Sequence, residues 1–230
     1  MTTAPKPTIV LVHGAWHSHR CWNHLVAALE GLTCVCLDLP SSGTDPATLG
    51  GMYDDAQVVR DALLAVDGPS VVVAHSYGGV PVTEAVTPDL GVQHILYVGA
   101  FVLDVGESAA SAAAGAGPPP WWDLHETSIG VVDPAGVFYG DVPADRLAEA
   151  VADVQLQSLR SCGEPLTRAA WRSTPSSYLV CDQDRAVPPQ AQEAMARRTG
   201  QAIHLDSGHS PFLSQPDVLA AAIRSTIAQI

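Results

Sequence analysis

Short apolar segments alternate with amphipathic segments along the chain, and this alternation is the main indication of its architecture. The apolar segments are rich in Val, Ile and Leu, and most of them end at Gly, Pro, Asp or Ser. Continuous apolar runs of this length are typical of strands that are buried on both faces. They predict six strands, at 8–13, 34–40, 70–75, 94–100, 177–182 and 202–207.

The segments between these strands carry apolar residues at helical spacing. In residues 53–66, for example, Val59, Leu63 and Val66 fall on one side of a helix. Helices are predicted at 21–30, 53–66, 78–86, 189–198 and 216–229. Strands that alternate with helices in this way indicate the α/β class, with a doubly wound, mainly parallel six-stranded sheet covered on both faces.

The alternation stops between about residues 102 and 170. Residues 108–123 are rich in small residues and proline, which is typical of an irregular segment. Residues 142–161 have the pattern of a helix, with Pro143 near its start. A long insertion between sheet strands is typical of a lid or cap. We therefore expect a single α/β domain over residues 1–230, with a small cap inserted at about 102–170.

The third predicted strand runs directly into Ala74-His75-Ser76-Tyr77-Gly78, a G-x-S-x-G sequence with alanine in the first place. Small residues flank the serine in such turns because the strand and the following helix pack tightly around a strained backbone. An ordinary glycine-rich turn is the alternative interpretation. The strand before the turn and the helical pattern after it favour a serine nucleophile, which would need a base and a group that orients the base.

In enzymes with this turn, the acid and then the histidine follow the serine along the chain. Only His204 and His209 lie beyond the fifth predicted strand. His204 lies inside the last strand and is expected to point into the sheet packing. His209 lies in the loop after that strand, at the edge where catalytic groups of parallel sheets collect, so we predict it as the base. The acid should follow the fifth strand, where spacing does not separate Asp182 from Asp184.

Acyl transfer also needs hydrogen-bond donors for the developing oxyanion. We predict the backbone N–H of Tyr77, directly after the serine, and that of Ala15, in the loop after the first strand, where Gly14 permits the turn. Aromatic residues predict an apolar substrate pocket, formed by Trp16, which adjoins the oxyanion residues, and by Trp121, Trp122 and Phe138. Trp121 and Trp122 could equally fix the cap onto the core.

Composition narrows the classes of function. The 230 residues are 47% hydrophobic with a net charge of −13, and the longest basic cluster is Arg197-Arg198, so a nucleic-acid partner is not expected. The apolar runs are too short for a signal peptide or a membrane span, so no membrane partner is expected. The odd number of cysteines (five), without zinc-type spacing, indicates buried free thiols in a reducing compartment, and hence a cytoplasmic protein. The histidines between residues 13 and 24 lack a matching carboxylate, so no metal is expected.

These motifs resemble those of the α/β-hydrolase superfamily, and most closely its methylesterase and hydroxynitrile lyase-like branch. The similar segments are IVLVHGAWHSHRCW (9–22), DLP (38–40), AHSYGG (74–79), YVGAF (97–101), PSSYLVCDQDRAVPP (175–189) and SGHSPFLSQP (207–216). They cover nearly the whole predicted sheet, whereas the cap matches poorly. The pattern C-x-x-D-x-x-(I/V)-P of that branch places the acid at Asp184, with Asp182 as the fallback.

The resemblance implies a serine esterase without metal or organic cofactor, in which Ser76 attacks a small-molecule carboxylic ester and forms an acyl-enzyme. Lyases of the same branch carry a threonine in the first loop and a lysine after the catalytic histidine. This chain has Gly14 and Ser210 there, which favours hydrolysis. Gly208 replaces the branch's usual aspartate before the histidine. The alternatives are a lyase or cyclase of secondary metabolism with the same triad, and a ligand-binding protein with slow turnover. The sequence leaves a homodimer open.

Overall fold

The computed structural model describes residues 6–112 and 117–230. The strands in these residues are β1 (Thr8–Val12), β2 (Cys34–Leu37), β3 (Ser42–Gly43), β4 (Ser70–His75), β5 (Val92–Val98), β6 (Trp122–Leu124), β7 (Ser128–Val131), β8 (Leu156–Ser158), β9 (Ser176–Cys181) and β10 (Gln201–Leu205). The helices are α1 (Asn23–Ala28), α2 (Met52–Ala65), α3 (Gly79–Ala85), α4 (Ala109–Ala112), α5 (Pro134–Phe138), α6 (Ala144–Ala152), α7 (Leu159–Gly163), α8 (Pro189–Ala196), α9 (Pro211–Ser214) and α10 (Pro216–Ile227).

The main sheet has six parallel strands in the order β10-β9-β5-β4-β1-β2. All six predicted strands are confirmed, with small shifts at their ends. The central strand β4 is buried along its whole length, as expected for an apolar run with helices on both faces. The strand order reverses between β1 and β4, which makes the sheet doubly wound.

The two edge strands are less buried than their sequences predict. Cys34 and Cys36 of β2 are half-buried rather than buried, because β2 has a neighbouring strand on one side only. His204 of β10 is exposed, and its ring contacts Asp182 Oδ1 at 2.9 Å and Glu193 Oε1 at 3.1 Å. The expectation that His204 packs into the sheet is therefore wrong, because its side chain faces solvent on an edge strand.

A second, antiparallel sheet in the order β3-β8-β7-β6 was not expected from the sequence. Three of its strands come from the insertion, and β3 comes from the loop after β2. The single helix expected over 142–161 is wrong. Helix α6 ends at Ala152, and the chain then forms β8 and α7, because the backbone of β8 pairs with β3 on one side and β7 on the other. Of the segment expected to be irregular, residues 113–116 lie outside the described residues.

The fold brings four loops to the carboxyl edge of the main sheet. These loops follow β1, β4, β9 and β10, and they carry Ala15, Ser76, Asp184 and His209 respectively. Ligand sites of open parallel sheets lie at this edge. Within residues 6–112 and 117–230, none of the helices combines the length and the apolar character needed to cross a membrane.

Candidate active site

Ser76 follows β4 at a sharp turn into α3. Its backbone lies in the left-handed region, with φ at +51°, and the residue is 6% exposed. This conformation costs a non-glycine residue on the order of 1–3 kcal/mol, so the surrounding packing must hold it. That packing is close: a Cβ on Gly78 would lie 2.4 Å from the carbonyl oxygen of His13. The turn therefore presents a strained serine at the sheet edge, as the G-x-S-x-G sequence predicts.

His209 and Asp184 form a buried pair beside this turn. The imidazole Nδ1–H donates to Asp184 Oδ2 at 2.7 Å, and the two side chains are 2% and 0% exposed. The other carboxylate oxygen accepts the N–H groups of Ala186 at 2.8 Å and Val187 at 2.9 Å. These bonds fix both the carboxylate and the tautomer of the histidine. Nε2 of His209 is left free to act as a base.

The structure thus separates the two aspartates that spacing could not. Asp184 is buried against His209, whereas Asp182 is exposed and pairs with His204 on the edge strand. The two side chains differ because Asp182 comes directly after β9, beside the edge strand β10, while Asp184 lies further into the following turn. The geometry agrees with Asp184 as the acid indicated by the family pattern.

Sequence reasoning missed two side chains that support this pair. Gln192 of α8 is fully buried, and its Nε2 donates to Asp184 Oδ2 at 2.8 Å. Asp141 accepts the N–H of Gly208 at 2.8 Å and the hydroxyl of Ser207 at 3.1 Å, which anchors the loop before the histidine. A Cβ on Gly208 would lie 2.5 Å from the Asp141 carboxylate. An aspartate at position 208 would therefore collide with Asp141. No local sequence motif indicates this contact between positions 141 and 208.

Two buried histidines brace the loop after β1. His13 Nδ1 contacts the carbonyl of Gly14 at 2.8 Å, and His17 Nδ1 contacts that of Ala15 at 2.7 Å. The Tyr139 hydroxyl donates to His17 Nε2 at 2.8 Å. Burial lowers the pKa of His13 to about 4 and that of His17 to about 3. Both imidazoles are thus neutral structural groups at pH 7.

His75, next to the serine, is also buried and neutral. Its Nε2 donates to the carbonyl of His209 at 2.8 Å. Burial, and next the neighbouring His209, keep the pKa of His75 well below its ordinary value. Across residues 6–112 and 117–230, no three His, Cys, Asp or Glu side chains are grouped so that they could hold a metal ion.

A cavity of about 750 Å³ opens above Ser76 and His209. Its lining includes every residue predicted for the oxyanion site and the pocket, namely Ala15, Trp16, Tyr77, Trp121, Trp122 and Phe138. The Trp16 ring stacks on Phe138 at 5.5 Å and meets Trp121 edge-on at 5.4 Å. Because Trp16 follows β1 and the other two come from the insertion, this aromatic cluster both lines the cavity and joins the insertion to the core.

The charged groups in the cavity wall are largely neutralised. Arg198 and Glu107 pair through both guanidinium nitrogens, with Nη2 to Oε1 at 2.9 Å. Arg185 lies at the exposed rim, where its Nη1 is 3.4 Å from the carbonyl of Gly136. The remaining wall is mostly aromatic, aliphatic and proline side chains, so the cavity suits an apolar ligand.

Comparison with known proteins agrees with this architecture. A model of the alpha/beta hydrolase family matches residues 9–222. A probable hydrolase, R7, from Phoma sp. is 31% identical over 95% of this chain and 97% of its own length. Methylesterase 17 from Arabidopsis thaliana is 25% identical over 93% of this chain and 88% of its own length. The crystal structure of a pyrethroid hydrolase from Sphingobium faniae shares the fold, with a TM-score of 0.84, 23% identity and coverage of 96% of this chain and 97% of that one. The chain therefore belongs to the alpha/beta hydrolase family.

Proposed function

We propose that the protein hydrolyses a carboxylic ester with a bulky apolar part, through an acyl-enzyme on Ser76. One observation carries the proposal: His209, paired with the buried Asp184 at 2.7 Å, lines the same cavity as a serine held in the left-handed conformation. A nucleophile, a base and a group that orients the base, gathered at one apolar cavity, are the parts that serine hydrolysis needs.

In the proposed reaction, Ser76 Oγ attacks the ester carbonyl while His209 Nε2 takes its proton. The N–H groups of Ala15 and Tyr77 donate to the oxyanion, and each well-placed donor lowers the barrier by about 3–4 kcal/mol. The ester C–O bond then breaks, and the imidazolium returns the proton to the leaving alcohol. A water molecule, deprotonated by His209, attacks the acyl-enzyme and releases the acid. Asp184 stays ionised and stabilises the imidazolium throughout.

The size and lining of the cavity support a substrate larger than a simple acetate ester. A volume of about 750 Å³ falls in the range of sites for drug-sized ligands. The aromatic cluster offers flat apolar surfaces, while the pairing of Arg198 with Glu107 leaves little net charge in the wall. The names of the relatives, a probable hydrolase and a methylesterase, are consistent with ester chemistry.

A series of p-nitrophenyl esters from acetate to octanoate tests this function. We expect kcat/KM to rise with chain length, because each methylene buried in the cavity contributes about 0.8 kcal/mol, or roughly fourfold. Reaction in water enriched in oxygen-18 should place one heavy oxygen in the acid product. A folded protein that hydrolyses none of these esters would contradict the proposal and would favour lyase, cyclase or binding chemistry.

The aspartate pair provides a second test with a built-in control. Asp184→Asn should lower kcat by about 10³- to 10⁴-fold, because an amide in this position favours the wrong imidazole tautomer. Asp182→Asn should change kcat less than threefold, since the Asp182 carboxylate pairs with the exposed His204 on the edge strand. Steady-state kinetics on the best ester of the series, with circular dichroism to verify folding, makes the comparison. A large loss in the Asp182 variant, or none in the Asp184 variant, would reverse the assignment of the acid.

A further inference from the structure

Gln157 of β8 is a fully buried polar side chain that uses all of its hydrogen-bonding capacity. Its Oε1 accepts the backbone N–H of Trp16 at 3.2 Å and the hydroxyl of Ser42 at 2.7 Å. Its Nε2 donates to the hydroxyls of Ser41 and Ser161, each at 2.8 Å. A buried amide with four partners has one orientation only, and each bond is costly to lose. Gln157 therefore fixes the groups around it.

Among the partners of Gln157, Trp16 has a strained backbone that needs support. Its φ is +64°, a left-handed conformation that costs a bulky residue on the order of 1–3 kcal/mol. Three contacts from the insertion hold it there. Besides the bond from its N–H to Gln157, its carbonyl accepts the N–H of Gln155 at 2.8 Å, and its indole Nε1 donates to the carbonyl of Ile129 at 2.8 Å. The backbone of the loop after β1 is thus set by the insertion.

The bond from Trp16 N–H lies next to a proposed oxyanion donor. The N–H of Trp16 and the carbonyl of Ala15 belong to the same peptide plane, and this plane directly follows the Ala15 N–H. His17 Nδ1 holds the carbonyl at 2.7 Å, and Gln157 Oε1 holds the N–H at 3.2 Å. Both ends of this plane are fixed. The Ala15 N–H itself lies in the preceding peptide plane, whose Gly14 carbonyl is held by His13 Nδ1 at 2.8 Å. The two peptide planes that meet at the Ala15 Cα are therefore both held, one by His13 and the other by His17 and Gln157.

The same network reaches the side chain of Tyr77, the residue that carries the other proposed donor. Ser41 accepts from Gln157 through its hydroxyl and donates its backbone N–H to Asp55 Oδ1 at 2.8 Å. Asp55 Oδ2 accepts the hydroxyl of Tyr77 at 2.6 Å. A continuous chain of buried hydrogen bonds therefore connects Trp16 with Tyr77, through Gln157. Buried networks of this kind are stiff because an unpaired member would be strongly penalised.

We propose that Gln157 is a positioning residue that sets the geometry of the oxyanion site from the insertion. It touches no reacting atom. It acts by holding the peptide after Ala15, and through Ser41 and Asp55 it ties that peptide to Tyr77. The inference rests on the proposed function, since it concerns donors to an ester-derived oxyanion. Donors displaced by a fraction of an ångström lose transition-state stabilisation while the cavity still binds the ground state.

The test compares Gln157→Met with Gln157→Glu and with the control Ser42→Ala. Methionine has similar length but no acceptor for Trp16 N–H, whereas a glutamate oxygen still accepts it. Ser42→Ala removes the other donor to the same oxygen and leaves the Trp16 bond in place. We expect kcat of the methionine variant to fall about 10- to 100-fold with KM within threefold. Ser42→Ala should stay within about fivefold of wild type, and Gln157→Glu, which keeps the acceptor for Trp16 but loses the donor to Ser41, should lose less than the methionine variant.

Inhibitors separate positioning from general loosening. A trifluoromethyl ketone forms a hemiketal on the serine, with an oxyanion in the donor site, whereas the matching methyl ketone binds mainly through its chain. Gln157→Met should lower the affinity for the trifluoromethyl ketone by the same factor as it lowers kcat, and it should leave the affinity for the methyl ketone unchanged. If the methionine variant does not fold, Gln157→Asn, which shortens the side chain by one methylene, replaces it. The same comparison of the affinities for the two ketones then tests the positioning role.

Wild-type kcat in the folded methionine variant, or equal weakening of both ketones, would overturn the positioning role while ester hydrolysis by the wild type stands. Absence of ester hydrolysis in the wild type itself would instead overturn the proposed function, and this inference with it. A retained methyl ketone affinity with a lost trifluoromethyl ketone affinity supports the inference.

Discussion

Ser76→Ala should reduce kcat for ester hydrolysis by about 10⁴- to 10⁶-fold and leave the protein folded. The change removes one oxygen atom at the cavity and keeps the backbone turn, because Gly78 and the close backbone contacts around it are untouched. The residual rate would come from binding and from the oxyanion donors alone. Labelling with a fluorophosphonate provides a direct measurement: the wild type should gain one adduct on the peptide containing Ser76, and the variant none. Persistent labelling of the variant would remove Ser76 from the mechanism.

Ser76→Gly is the matched variant that examines the strain in the turn. It should be as inactive as the alanine variant but more stable, by up to about 1 kcal/mol, because glycine adopts a φ of +51° without steric cost. The gain is partly offset because glycine also gives the unfolded chain more freedom. Urea unfolding of the two variants measures the difference. A glycine variant less stable than the alanine variant would mean that the left-handed turn carries little strain.

Acidification from pH 7 to pH 5 should lower the free energy of unfolding by several kcal/mol. The pKa of His13 is lowered to about 4 and that of His17 to about 3, and the pKa of His75 is also lowered, in each case mainly by burial. In the unfolded chain these groups titrate near 6.5. Above that pH both states are neutral and stability is at its full value. As the pH falls below 6.5, the unfolded chain binds protons that the folded chain does not, so His13 and His17 each cost about 2 kcal/mol at pH 5, and His75 adds a loss of the same sign.

The contribution of Asp55 to stability changes with pH in the opposite direction and offsets part of this loss. Burial raises its pKa to about 6, so its contribution to stability is present at low pH and falls as the pH rises through 6. Urea unfolding between pH 5 and pH 8 measures the sum of these effects. His17→Gln should reduce the number of protons taken up on unfolding near pH 5 by nearly one, so the free energy of unfolding should depend less on pH. Asp55→Asn should increase the loss of unfolding free energy on acidification. Stability that is unchanged between pH 7 and pH 5 would contradict the neutral state of the buried histidines.

The sequence predicts the main sheet well because its strands are apolar runs, of which the four inner ones have neighbouring strands on both sides. The positions of Ser76 and His209 follow from the same pattern, since each lies directly after such a strand. Asp184 is harder, because a carboxylate two residues away fits the spacing equally well. The structure distinguishes the two through the turn that buries one and exposes the other.

The insertion shows why the rest could not be predicted. Its strands are three or four residues long, and β8 contains Gln157, a polar residue that sequence patterns assign to the surface. The partners of Gln157 are distant in the chain, so no local pattern marks it as buried. Asp141 and Gln192 are similar: each supports the site through one loop or helix contact that only the folded chain creates.

The bond between Trp16 and Gln157 joins positions 141 residues apart. Closing so long a loop is entropically expensive, and contacts of this separation gain nothing until the elements between them are in place. Strands β1, β4 and β5 can associate before the insertion docks, whereas the left-handed Trp16 lacks its three bonds to the insertion until it does. Catalytic competence should therefore be among the last properties that a refolding chain acquires, after the central sheet has formed.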